Sequence, residues 1–399
     1  MTFFKIVLDS PISAELESQT TNQRVIEERE KNVYWRNKKL CGKIVSRMHN
    51  KYNKVEAPNE QVRAFSQMFQ RTYSLPFLET SLKILQKWKE QYVFVKVQYY
   101  AMAYINKLIN EKNLRIHLKD HIDFLLFDIV IPGMLLTPKD EEDWEENPIE
   151  FVFIRSENRW EENLLESIFN KSDKDLIERP NNLRTVSSRI IQKMCDKKFV
   201  IDGEKLGYQV LVKFMKHAAA ILSQGVDPRT NQPVDMRLKE AVLHIIGLIQ
   251  NQILDNEDIE SQMDFLLAKY VVPELTNQSN ILKYRACWLF GSYAGIVKDV
   301  QIVKTATKAL CKCLLIEQLP LQVQAALALK MVLGYSEARN IIQPKLAEIL
   351  KVYINLIASI DHEFLVGAFE NLIKEFRDSI NPYALELIQS LGQIYGKSV

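Results

Sequence analysis

Seven carboxylates lie between Asp140 and Glu150, in the run KDEEDWEENPIEF at 139–151, and a single tryptophan sits among them. Asp140, Glu141, Glu142, Asp143, Glu145 and Glu146 surround Trp144. A run of that density sets up a field that gathers Lys- and Arg-rich partners, and an indole beside it offers a flat face to guanidinium groups and lysine stems. Pro138 and Pro148 bracket the run, and as helix breakers they place it on a loop. The expectation is therefore an extended acidic loop at 138–150 for basic partners. The plainer alternative is a solvated loop with Trp144 tucked against its own repeat.

Other chemistry-bearing residues assemble less well. His117 and His121 stand four apart with Asp120 and Asp123 beside them, but Leu118 holds the place where a metalloprotease pattern needs Glu, so both read as surface histidines. Cys311 and Cys313 point to different faces of one helix and have no second ligand pair, so they read as packing. Trp288, in RACWLF, lies on an apolar stripe and reads as a core anchor. Arg237 and Arg285 either line a concave face or pair with acidic residues of the next repeat, and the structural role is favoured. The chain contains no GxxxxGK[ST], GxSxG or dinucleotide fingerprint, so no enzyme, cofactor or metal is expected. The basic stretch WRNKKLCGKIVSRMHNKYNK alternates charge with an apolar stripe and reads as the wet side of a helix; with a net charge of +2, direct nucleic-acid binding is not expected.

Which elements hold these residues follows from composition and periodicity. With 47% hydrophobic residues in 399, the chain can bury a large core, while 12 Gly and 13 Pro are too few for the turns of a β-rich protein. No uncharged apolar stretch reaches the length of a membrane span, and five scattered cysteines fit reduced thiols of the cytosol or nucleus. Helical spacing runs through 36–52, 61–73, 77–90, 92–111, 117–131, 160–170, 182–196, 204–224 and 234–254. The fold class is all-α.

The second half repeats one design. MRLKEAVLHIIGLI (236–249), LKYRACWLFGSYAGI (282–296), LQVQAALALKMVL (321–333) and EFLVGAFENLIKEF (363–376) each carry an early small residue and then an apolar stripe. Ala241, Ala286, Ala325 and Ala368 mark the period at separations of 45, 39 and 43. Helices of a second kind, at 262–275, 301–315 and 341–357, alternate with them. Helix pairs at this period build an α-solenoid of HEAT or armadillo type, in which neighbouring pairs supply one another's core. Residues 1–33 read as a poorly patterned segment, 34–399 as the solenoid, and 383–395 as a further repeat helix.

Several stretches resemble the importin-β superfamily of nuclear transport receptors, most of all its importin-seven and importin-eight type. They are VYWRNKKLCGKIVSRMHNKY (33–52), YAMAYINKLI (100–109), IVIPGMLLTPKDEEDWEENPIEF (129–151), GVDPRTNQPVDMRLKEAVLHIIG (225–247), YRACWLF (284–290) and VQAALAL (323–329), in family order. One departure follows the acidic run, where Phe153 stands at the place of a basic residue and Arg155 comes two later. The acidic stretch alone also resembles the export receptor that recycles importin-α. The resemblance implies a HEAT solenoid that carries basic cargo, such as ribosomal proteins or histones, through the pore on Phe-Gly nucleoporins. It implies shuttling between cytoplasm and nucleus, with the GTP form of the GTPase Ran releasing the cargo. It gives 140–146 as a contact for cargo or Ran, and Arg285, Ala286 and Trp288 as a structural repeat signature. The family's amino-terminal repeats, with the main Ran contact, would precede residue 34, so the match is to a central portion. A static HEAT scaffold and an export-type receptor are the competing readings.

Overall fold

A computed structural model describes residues 1–20, 22–52, 59–155, 182–360, 362–385, 387–389 and 392. The helix expected at 160–170 and most of that at 383–395 lie outside the described residues. The chain divides into two compact units, Met1–Met134 with Ser172–Val212, and Leu135–Lys171 with Lys213–Val399.

The first unit centres on the helix Val95–Leu108, which packs against Val33–Tyr52, Leu75–Glu90 and Leu183–Met194. Its stripe of Val97, Ala101, Met102, Ile105 and Leu108 is buried, as three- and four-residue spacing requires of a helix covered on more than one side. Residues 1–33 form three short helices, Thr2–Asp9, Ala14–Glu17 and Gln23–Lys31. Leu8 and Ile12 are buried, Leu16 and Ile26 pack against the cluster of Trp35, Tyr92 and Val93, and polar anchors are added to these. Lys38 Nζ donates to the carbonyls of Val7 (3.2 Å), Leu8 and Ser10 (2.7 Å), closing the open end of the first helix. Arg29 donates to the carbonyls of Ser18 and Glu15 and lies over the Tyr92 ring. The stretch expected as one helix at 117–131 is a 3₁₀ turn, Ile116–His121, and a π-helical segment, Phe124–Val130, running into Pro132.

A small departure from the all-helical expectation sits at 200–205, where Val200–Ile201 and Glu204–Lys205 pair as two antiparallel strands. Asp202 and Gly203, both at positive φ, make the tight turn that leads into the helix Leu206–Gln224.

In the second unit the small-residue helices are Met236–Leu248, Asn280–Tyr293, Leu319–Val332 and Glu363–Glu375, each packed on the next. Ala241, Ala286, Ala325 and Ala368 are fully buried, which lets backbones come close. Gly247 serves the same end, since a Cβ there would lie 2.1 Å from the Trp288 ring. A hydrogen bond ties the row across repeats, Tyr293 Oη donating to the Ile246 carbonyl (2.8 Å), and Tyr353 Oη, on the helix Leu346–Ser359, donates to the Ala326 carbonyl of the row (2.7 Å). Of the helices of the second kind, Val300–Leu314 is continuous and Leu346–Ser359 follows a 3₁₀ turn at Gln343–Lys345, whereas the one expected at 262–275 is broken into the helix Met263–Leu266, a π-helical segment Leu267–Val271 and a 3₁₀ segment Val272–Thr276 that contains Pro273.

Candidate functional site

The acidic run is helical. Pro138–Glu146 forms one helix and Pro148–Arg155 a second, joined at Asn147, which corrects the expectation of a loop. The physical reason is positional: each proline occupies the first turn of its helix, where no amide is needed and the fixed φ suits the helix start. Thr137 caps the first helix in a reciprocal box, its hydroxyl accepting from the Asp140 amide (3.2 Å) while the Asp140 carboxylate accepts from the Thr137 amide (2.8 Å). The two helices make an elbow.

Trp144 is buried at 1% exposure, so it presents no open face to a cation. Its ring meets Phe151 edge-on at 5.0 Å and Tyr284 at 5.5 Å, and Phe151 meets Tyr284 at 5.7 Å. Three mutual edge-to-face contacts each contribute about 0.5–1.5 kcal/mol beyond burial. Gln318 Nε2 donates to the Trp144 carbonyl at 3.4 Å. The fifth contact is ionic: Arg237 grips Glu141 with both arms, Nε to Oε1 at 2.8 Å and Nη2 to Oε2 at 2.7 Å. That pairing pushes the Arg237 pKa up through its hydrogen bond to Glu141. Farther along, Phe153 stacks on His362 at 5.8 Å.

The carboxylates therefore divide into two groups. Asp140 is used in the cap and Glu141 in the arginine pair. Lys139 bridges Glu142 (3.2 Å) and Asp143 (3.0 Å), and these hydrogen bonds raise the lysine pKa. Glu145 and Glu146 are exposed at the end of the helix. Glu142, Glu145 and Glu146 are thus the exposed carboxylates of the run, and Asp143 is largely covered.

The repeat-signature residues lie on the same helix as Tyr284 but inside the core. Arg285 Nε donates to Glu240 Oε1 at 2.8 Å, both side chains being nearly inaccessible, and its guanidinium lies 4.8 Å over the Trp288 ring. Trp288 fills the space over Gly247 and meets His244 edge-on at 5.3 Å. Both arginines thus take the structural role, pairing with acidic residues of other helices. Cys311 and Cys313 are buried. His117 is exposed on the 3₁₀ turn, and among the described residues no group of three or more His, Cys, Asp or Glu is arranged to hold a metal. Among them, too, no single helix is long and apolar enough to cross a membrane.

Sequence reasoning missed Tyr284, Gln318, Phe153 and His362 as partners of the acidic run. The signal that was available is the pair of helix starts, Thr137-Pro138 with Asp140 three residues after Thr137, and Asn147-Pro148.

No family model matches the chain. It aligns throughout its length with the importin beta-like SAD2 homolog of Arabidopsis thaliana, at 25% identity over 401 residues and 36% of that protein. Human importin-8 aligns at 23% identity, with all of this chain and 35% of the relative covered. The chain is similar to importin-β relatives over its whole length. Its fold is similar to that of the exportin Cse1 in its cargo-free, cytoplasmic state, at a TM-score of 0.61 and 15% identity over 99% of this chain and 38% of that one. The expected α-solenoid is thereby met. The chain spans about a third of the length of the importin-β relatives it matches.

Proposed function

We propose that this chain is a section of a nuclear transport receptor that binds basic protein cargo on its small-residue helices and on the outward carboxylates of the elbow. The whole-length alignment with importin relatives carries the reading, and the exposed Glu142, Glu145 and Glu146 on a firmly seated helix support it. Ribosomal proteins and histones are the cargo class that such a charge pattern suits. Control by Ran in its GTP form, passage on Phe-Gly nucleoporins and shuttling between cytoplasm and nucleus come with this reading. Release follows if Ran and cargo prefer different solenoid curvatures, since a ligand shifts an equilibrium only by its differential affinity.

The test is binding of the chain to basic ribosomal proteins and histones, with and without Ran-GTP. It uses a variant carrying Glu142→Gln, Asp143→Asn, Glu145→Gln and Glu146→Gln, which leaves Asp140 and Glu141 in place. A loss of binding of tenfold or more in the variant, and release by Ran-GTP, are expected. Equal binding by both proteins would remove the elbow from the cargo surface, and binding indifferent to Ran would favour a static scaffold. An export-type receptor, the direction named for the solved structure above, would bind cargo only together with Ran-GTP.

A further inference from the structure

The elbow touches four consecutive small-residue helices, each near its amino-terminal end. Glu141 holds Arg237, the second residue of Met236–Leu248. Trp144 and Phe151 pack on Tyr284, the fifth residue of Asn280–Tyr293. The Trp144 carbonyl accepts from Gln318, the cap of Leu319–Val332, and the helix Pro148–Arg155 packs on that same helix. Phe153 stacks on His362, the cap of Glu363–Glu375. From Glu141 to Phe153 the contacts run from the first of these helices to the fourth, with Phe151 returning to Tyr284 of the second. We infer that residues 138–155 are a brace that fixes the angles between four successive repeats at once.

Three observations make this more than a list of contacts. In a helical array each repeat touches only its neighbours, so the arrangement of the first relative to the fourth is otherwise the sum of three independently adjustable junctions. The elbow's contacts also differ in kind, ionic at one end, aromatic in the middle and stacked at the other, and each of the first two has directional geometry. Glu141 against the start of Met236–Leu248 adds a favourable term, because that end carries partial positive charge. The inference requires no cargo, and its test contains none.

The experiment is amide hydrogen exchange on the full chain, followed by mass spectrometry, comparing the unaltered protein with a Glu141→Gln/Trp144→Phe variant. The interiors of 236–248, 280–293, 319–332 and 363–375 should all exchange about tenfold faster or more in the variant, while 300–314 and 346–359, which the elbow does not hold, change less. Faster exchange confined to 138–155 would overturn the brace, and so would uniform acceleration in every helix of the unit. Should the double variant lose its helical circular dichroism, Glu141→Gln alone serves, its side chain being about a third exposed. Acceleration is then expected in 236–248 before the other three, and no change there would count against the proposal.

Discussion

Glu141 and Glu145 stand one helical turn apart, yet the first is gripped by Arg237 and the second faces water. Charge alone does not distinguish them; what does is the neighbour brought from 96 residues away. The same contrast ranks the acidic residues for stability. Glu240→Ala removes the carboxylate of a fully buried pair and should cost about 3–5 kcal/mol, whereas Glu142→Gln, on the surface, should stay within about 0.5 kcal/mol. Urea denaturation of the two variants checks the order. A second residue-scale expectation concerns the buried thiols. Burial pushes Cys311 up to about 11 from its ordinary 9. The unfolded chain therefore gives up that proton above pH 9 while the folded chain keeps it, so the thiol's contribution is intact below pH 9 and is lost as pH climbs toward 11. The urea midpoint should fall between pH 8.5 and 10.5, and fall less in Cys311→Ala. Trp144 marks where reading residues singly failed. A tryptophan among carboxylates was legible as a cation platform only because Tyr284 and Phe151 were not yet beside it.

Elements with a strong period were legible to within a few residues. The stripes expected at 36–52, 77–90 and 182–196 became Val33–Tyr52, Leu75–Glu90 and Leu183–Met194. The elbow was not, because its apolar content is small and prolines were weighed as breakers without regard to which end of a helix they occupy. The first 33 residues escaped for a related reason, since their few, widely spaced apolar anchors, Leu8, Ile12, Leu16 and Ile26, are supplemented by Lys38 and Arg29 donating to carbonyls, a device that leaves no periodic trace. Two substitutions test elements. Thr137→Ala removes the capping hydroxyl and should destabilise by about 1 kcal/mol, seen first as faster exchange in 138–146. Gly247→Ala drives a methyl group into the Trp288 ring and should cost about 1–3 kcal/mol by overpacking, read from the melting midpoint.

For the molecule as a whole, the repeat period and the family stretches made the solenoid legible before any coordinates, because a period near 40 residues has few structural solutions. What no period conveys is a contact across several periods. If the outward carboxylates bind basic cargo, affinity should fall about tenfold or more between 50 and 300 mM salt, as screening within a Debye length of roughly 8 Å at physiological strength implies; titration at the two salts checks it. The long reach of the elbow has a further consequence, in time rather than space. Trp144 is made 140 residues before Tyr284, and Phe153 leaves the ribosome 209 residues ahead of His362. At about 5–20 residues per second, Trp144 waits roughly seven to thirty seconds for its partner and Phe153 roughly ten to forty. Over that interval the nascent chain carries an uncovered sticky segment, and chaperones acting during synthesis should be found on it there.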